Sequence, residues 1–69
     1  MQRNVQLNVD KELLDVKDLA EILDIGKSLV YKLVRQNMIP HVRIGSSIKF
    51  VKSQIEDWLG QGGTKGEVV

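Results

Sequence analysis

The chain has 69 residues, a formal net charge of +1 and 42% hydrophobic residues, which allows a single domain with a small core. It contains no cysteine and one histidine, which excludes disulfides and leaves no residue set for a structural zinc ion. No apolar run has the length of a membrane span and no signal peptide is recognisable, so we expect a cytoplasmic protein without membrane association.

Charged residues are distributed unevenly along the chain. Residues 10–25 carry a net charge of −4 and residues 56–69 carry −2, whereas residues 26–55 contain six cations and no acid. Such a block indicates a localised basic surface, which suits an anionic partner such as nucleic acid. Charge distribution alone leaves open an ordinary solvated face.

Composition divides the chain into three predicted segments. Val5, Leu7 and Val9 alternate with polar residues, which predicts an N-terminal arm or edge strand over residues 1–12. Residues 13–59 hold the periodic segments and are predicted to form the folded domain. Residues 60–69 contain four of the six glycines and no periodicity, so they are predicted to be a flexible tail.

The first helix is predicted over residues 16–23. Its apolar residues recur with helical spacing: Val16, Leu19, Ala20 and Leu23. Asp15 precedes them and can cap the free N–H groups of the first turn. Asp18 stands where a capping box usually has Glu or Gln, so we expect the box to be imperfect.

A second helix is predicted over residues 27–36. Its apolar stripe consists of Val30, Leu33 and Val34, with Leu29 at the margin. Asn37 suits a left-handed helix end, and Pro40 prevents continuation. Only about three residues (Asp24 to Gly26) separate the two helices, so the helices must cross steeply. This arrangement is typical of a helix-turn-helix motif.

A β-hairpin is predicted over residues 41–50. Apolar and polar residues alternate on both sides of a Gly45-Ser46-Ser47 turn. The residues expected to pack inward are Val42, Ile44, Ile48 and Phe50. Arg43 and Lys49 are then expected on the other face. Ser53 is expected to cap a last short helix, whose apolar face holds Ile55, Trp58 and Leu59.

The second helix and the hairpin carry the candidate binding residues. Ser28, Tyr31, Lys32 and Arg35 share one stripe of the helix, and such a helix fits the major groove of DNA. A protruding hairpin can reach the adjacent backbone or minor groove. The predicted DNA-binding residues are Lys27, Ser28, Tyr31, Lys32, Arg35, Arg43, Ser46 and Lys49. The alternative is a solvated face with lysines for solubility. Tyr31 is ambiguous, because its ring can pack at the core edge while its hydroxyl reaches a phosphate.

No motif supports catalysis. Gly26-Lys27-Ser28 resembles the end of a P-loop, but Glu21 stands where that motif needs its first glycine. Glu56 and Asp57 are adjacent and would point about 100° apart on a helix. His41 lacks a recognisable nucleophile and orienting partner, and the spacing of Trp58 favours core packing over base stacking. We expect a non-enzymatic protein without metal or cofactor.

Several segments together resemble a known family. They are residues 14–23 (LDVKDLAEIL), 30–34 (VYKLV), 39–40 (IP), 42–45 (VRIG) and 55–59 (IEDWL). Over residues 13–59 the chain resembles the excisionase/prophage-regulator (AlpA-like) group of MerR-like helix-turn-helix proteins. The resemblance implies an α+β, mainly α fold: a small winged helix-turn-helix whose second helix is the recognition helix and whose two-stranded β-hairpin is the wing.

The chain departs from the family pattern at four places. Asp24 replaces a common turn glycine, so a strained turn is expected. Gly26 replaces the usual Ser or Thr and removes a side-chain cap. Leu29 stands where threonine is usual, which removes a polar contact. Ser46 and Ser47 occupy a wing tip that is often basic, so weaker wing binding is expected.

The resemblance also implies a function. It predicts a sequence-specific double-stranded DNA-binding protein of a mobile element, which assists a site-specific recombinase (integrase) as a recombination directionality factor. Such a protein is expected to bend DNA through residues 27–36 and 41–50, and to self-associate cooperatively on it. One alternative is a small prophage-type transcriptional regulator. A second is a protein-interaction adaptor that docks a partner through Val5, Leu7 and Val9 or through the glycine-rich tail.

Overall fold

A computed structural model describes residues 6–63. Its elements in chain order are β1 (Leu13–Leu14), α1 (Val16–Leu23), α2 (Lys27–Arg35), β2 (Val42–Ile44), β3 (Ser47–Val51) and α3 (Lys52–Gly60). The strands form an antiparallel sheet in the order β1-β3-β2. This is a winged helix-turn-helix α+β fold, with α1 and α2 as the motif and β2–β3 as the wing, and it confirms the predicted fold class.

The N-terminus of α1 is closed by two reciprocal hydrogen bonds. The Asp18 backbone N–H donates to the Asp15 carboxylate over 2.7 Å, and the Asp15 N–H donates to the Asp18 carboxylate over 3.1 Å. Both bonds satisfy N–H groups that the helix itself leaves free. The expectation of an imperfect capping box is therefore wrong, because the shorter Asp18 side chain still reaches back.

Both helices of the motif end in a residue with left-handed backbone geometry. Asp24 has φ 56°, and the Ile25 N–H donates to the Ala20 carbonyl over 3.0 Å. Asn37 has φ 55°, and the Met38 N–H donates to the Leu33 carbonyl over 2.8 Å. These are Schellman ends, which reverse the chain sharply. Helix α2 ends at Arg35, one residue before the predicted end.

The core lies between the motif helices, the inner face of the sheet and α3. The buried residues are Leu14, Val16, Leu19, Ala20, Val30, Val34, Ile39, Phe50 and Ile55. The predicted apolar faces of α1 and α2 are confirmed for Val16, Leu19, Ala20, Val30 and Val34, with Leu23 and Leu33 partly buried. Leu29, expected at the margin of the α2 stripe, is instead 43% exposed. Trp58 and Leu59 pack against the same core from α3. Burial of this small cluster holds α2 in place.

The wing pairs in a different register from the predicted one. Ile44 lies opposite Ser47, and Val42 lies opposite Lys49. Directly opposed residues share a face of the sheet, so Val42 and Ile44 lie away from the buried Phe50. They are 37% and 55% exposed, and the expectation that they pack inward is wrong.

Loop length explains the error. A three-residue Gly-Ser-Ser loop would pair Ile44 with Ile48, whereas the observed loop consists of Gly45 and Ser46 alone. Gly45 has φ 62°, which suits the first position of a two-residue hairpin loop. A slip of one residue moves every side chain of a strand to the other face.

A backbone carbonyl of the arm, rather than the Ser53 side chain, accepts the hydrogen bond from the first N–H group of α3. Strand β3 runs directly into the helix, so Val51 is the N-cap and Ser53 lies inside the first turn, without a capping bond. The Lys52 N–H donates to the Glu12 carbonyl over 2.7 Å. The Lys52 ammonium donates to the Val9 carbonyl over 2.9 Å. The predicted cap is wrong because a backbone carbonyl takes its place.

Residues 6–12 form an irregular segment that packs onto the domain. Leu7 and Val9 are partly buried against the core, and the Leu7 N–H donates to the Glu56 carboxylate over 2.7 Å.

The predicted N-terminal edge strand differs from the observed one. The strand at this end is Leu13–Leu14, and Val5 lies outside the described residues. Gly60 belongs to α3, and residues 64–69 lie outside the described range. The division into arm, domain and tail stays a prediction.

Within residues 6–63, no helix is long and apolar enough to cross a bilayer.

One exposed ion pair joins the arm to α1. The Lys11 ammonium lies 2.8 Å from the Asp18 carboxylate. The hydrogen bond from Lys11, followed by the one from the Asp15 N–H, holds the pKa of Asp18 below its usual range. The same hydrogen bond raises the pKa of Lys11. The capping carboxylate of α1 is therefore also an electrostatic contact with the arm.

Replacing Asp24 by Gly should stabilise the protein by about 0.5–1 kcal/mol, because glycine adopts φ 56° without strain and a carboxylate at a helix C-terminus is unfavourable. Thermal unfolding followed by circular dichroism measures the change. The control Asp24→Asn removes the charge but keeps a side chain, which separates the two contributions. A Gly variant no more stable than the wild type would show that the turn is not strained.

Stability should fall in acid partly through Asp18. Because its pKa is lowered in the folded state, its contribution is present above the unfolded pKa of about 3.9 and is lost as the pH falls through the folded pKa. Urea unfolding should therefore show Asp18→Asn less stable than the wild type at neutral pH, with the difference shrinking towards pH 2. An equal difference at both pH values would contradict this assignment. The control Lys11→Met removes the ion pair but keeps the capping box, so it separates the contribution of the ion pair from that of the cap.

Candidate nucleic-acid interface

The outer face of α2 consists of polar and cationic side chains. Val30 and Val34 are buried, which turns one side of the helix towards the core. With 3.6 residues per turn, the side directly opposite carries Ser28, Lys32 and Arg35, all of which are exposed. The helix is therefore anchored by two valines and presents a hydroxyl and two cations to solvent.

A groove lies beside α2, between the starts of α1 and α2 and the wing. Its volume is about 380 Å³. The lining residues are Asp15, Val16, Lys17, Lys27, Tyr31, Ser46, Ser47, Ile48 and Lys49. Four predicted binding residues meet there: Lys27, Tyr31, Ser46 and Lys49. Tyr31 is 46% exposed, so its ring forms part of the groove wall and is not a core residue. We name this feature the basic groove.

Lys17 and Ser47 line the basic groove but were not among the predicted binding residues. Lys17 is the second residue of α1 and is exposed. It lies within residues 10–25, whose net charge is negative, so the charge of that segment gave no indication of a binding lysine. Its position just after the Asp15 cap is the signal that could have identified it, because residues from the starts of α1 and α2 line the same groove. Asp15 also lines the groove, where its carboxylate accepts the Asp18 N–H.

The wing does not present its two cations on one face. Arg43 lies opposite Ile48 and Val42 lies opposite Lys49, so Arg43 and Lys49 lie on opposite faces of the hairpin. Lys49 lines the basic groove and Arg43 does not. The expectation that one face offers both cations is wrong, and the cause is the register shift described above.

Most cations of the motif and the wing have no partner among residues 6–63. Among residues 6–63, the ion pair is Lys11–Asp18, and the Lys52 ammonium bonds to the arm. The remaining cations of the motif and the wing form no hydrogen bond or ion pair with another described residue: Lys17, Lys27, Lys32, Arg35, Arg43 and Lys49. Unpaired charges around α2 and the basic groove leave a positive potential there.

The other singled-out residues have structural roles. His41 Nδ1 donates to the Ile39 carbonyl over 2.8 Å, which holds the chain between α2 and the wing. Trp58 packs against the core, as its spacing predicted. Glu56 accepts the Leu7 N–H, whereas Asp57 is exposed. In the described part of the chain, no group of three His, Cys, Asp or Glu residues could hold a metal ion.

Comparison with known proteins agrees with this geometry. Residues 13–63, most of the chain, match a family model described as a helix-turn-helix domain. No curated protein and no solved structure matches the chain. The family includes excisionase and AlpA-like proteins, is typically non-enzymatic and suggests DNA as the partner. The chain belongs to the helix-turn-helix domain family.

Proposed function

We propose that the protein binds double-stranded DNA, with the outer face of α2 in the major groove and the basic groove against an adjacent phosphate backbone. The observation that carries this proposal is the exposed stripe of Ser28, Lys32 and Arg35, opposite two buried valines on the same helix. Arginine and lysine read guanine edges and neutralise phosphates. The residues proposed to contact DNA are Lys17, Lys27, Ser28, Tyr31, Lys32, Arg35, Arg43, Ser46, Ser47 and Lys49.

The contacts divide into two kinds. Side chains on the outer face of α2 reach base edges and carry sequence specificity. Lysines and hydroxyls of the basic groove hold phosphates and set the register of the helix on the duplex. If about five phosphates are neutralised, the logarithm of the binding constant falls against the logarithm of salt concentration with a slope near −4.5.

We further propose that the protein is a non-enzymatic, excisionase-like recombination directionality factor of a mobile element, which bends its site to assist an integrase. Ile44 supports bending. It is 55% exposed beside the wing turn, and apolar side chains of this kind enter base steps and kink the duplex. A single small module buries only about 600–1,000 Å² on DNA, so cooperative self-association on adjacent sites would strengthen binding.

A transcriptional regulator would use the same DNA interface. The recombination role requires a bent duplex, whereas a regulator can bind bent or straight DNA, so a straight duplex is the outcome that separates the two. The adaptor hypothesis receives less support. Two of the apolar residues that it needs, Leu7 and Val9, already pack against the core of this chain, and the Leu7 N–H is bonded to Glu56. Leu7 and Val9 are therefore already engaged with the domain, whereas Val5 and residues 64–69 of the glycine-rich tail lie outside the described residues.

Replacing Lys17, Lys32 or Arg35 by Ala should weaken duplex binding about threefold to thirtyfold at low salt, with Arg35→Ala also relaxing sequence preference. Each lost phosphate contact should reduce the salt slope by about 1. Fluorescence anisotropy on a duplex selected from random sequence measures both quantities. Lys11→Ala is the matched control, since Lys11 pairs with Asp18 outside the proposed interface. Equal affinity for all four variants and the wild type would refute the interface.

The recombination role predicts a bent complex. Energy transfer between dyes at the two ends of the selected duplex should rise on binding, and Ile44→Ser should reduce the rise while leaving most of the affinity. Val42→Ser is the control, because Val42 shares the face of Ile44 but lies farther from the wing turn. A duplex that stays straight when bound would contradict the excisionase-like role and favour the regulator, with DNA binding itself intact.

A further inference from the structure

Leu29 is an exposed leucine at the start of the proposed recognition helix. It is the third residue of α2 and is 43% exposed. It belongs neither to the buried core nor to the partly buried residues packed against it. The core contacts of α2 come from Val30, Leu33 and Val34. Folding of the domain therefore does not explain a leucine at this position.

Helix geometry places Leu29 on the DNA-facing side. It precedes Lys32 by three residues and Gln36 by seven, so these side chains form one row along the helix. Lys32 and Gln36 are both exposed. Leu29 flanks the outer face on the side away from Tyr31 and the basic groove. The first residues of a recognition helix are those that approach base edges most closely.

The chemistry of leucine restricts what it can recognise there. It is the one exposed aliphatic side chain of α2, and it can neither donate nor accept a hydrogen bond. The edges of guanine, cytosine and adenine in the major groove present polar groups, whereas thymine presents a C5-methyl group. Contact between Leu29 and a polar edge would remove water without replacing its hydrogen bonds. Contact with a methyl group buries apolar surface on both sides.

We propose that Leu29 is a specificity-determining residue that reads a thymine methyl group in the major groove. The inference rests on the proposed function, because it requires α2 to lie in that groove. It adds that the DNA site contains a thymine opposite the first turn of α2. It also gives Leu29 a role in base recognition although its side chain cannot form hydrogen bonds.

The test removes single methyl groups from the DNA. The full chain is used to select a duplex from random sequence, and each thymine of that duplex is replaced in turn by deoxyuridine, which lacks only the C5-methyl group. Anisotropy titrations then compare each duplex with its parent. We expect one or two positions at which the wild type loses affinity about fourfold, the value of one buried methyl group. For Leu29→Ala, the parent and deoxyuridine duplexes should bind equally.

Lys32→Ala is the matched control. It lies on the same row of α2 and should bind all duplexes more weakly, yet it should keep the fourfold methyl effect. Because both side chains are exposed, both variants should unfold at the wild-type temperature. The inference is overturned if no deoxyuridine duplex differs from its parent, or if the difference persists in Leu29→Ala. Absence of any duplex binding by the wild type would instead overturn the proposed function, and the inference with it.

Discussion

The packing of α1 against α2 is the constraint on which the rest of the structure depends. Leu19 and Val30 are fully buried, and Ala20 is small enough for the two helices to approach closely. Because the buried valines of α2 lie on one side, the opposite side must face solvent. The cations of α2 are therefore displayed as a consequence of core formation, and no partner is needed to hold them in position. A helix presented in this way loses little conformational freedom when it binds.

Two short connections convert this packing into a shaped surface. The left-handed Asp24 turns the chain within three residues, which brings the starts of α1 and α2 to one side and forms two walls of the basic groove. The two-residue wing loop sets the third wall, since it pairs Ile44 with Ser47 and places Lys49 in the groove. The arm lies elsewhere and serves the fold, because its carbonyl groups bond to Lys52.

Local patterns in the sequence were sufficient for α1 and α2 but not for the wing or the start of α3. The α1 and α2 stripes repeat over two turns, so their bounds and buried faces could be predicted almost to the residue. The faces of the wing depended on whether Ser47 belongs to the loop or to the strand, and composition does not decide that. Lys17 was missed because its neighbours along the chain are acidic, whereas its neighbours in space include Lys27 and Lys49. The start of α3 was misplaced because the first N–H of the helix, that of Lys52, donates to the carbonyl of Glu12, forty residues earlier in the chain.

The most direct test of DNA binding through α2 is to map the contact surface by nuclear magnetic resonance. A ¹⁵N-labelled full chain is titrated with a selected duplex, and the shifts of the backbone amides are followed. Binding through α2 and the basic groove should produce the largest changes on α2, on Lys17 and on residues 43–49, with small changes in residues 6–12 and the solvent face of α3. Largest changes in the arm and α3, with α2 unaffected, would contradict it.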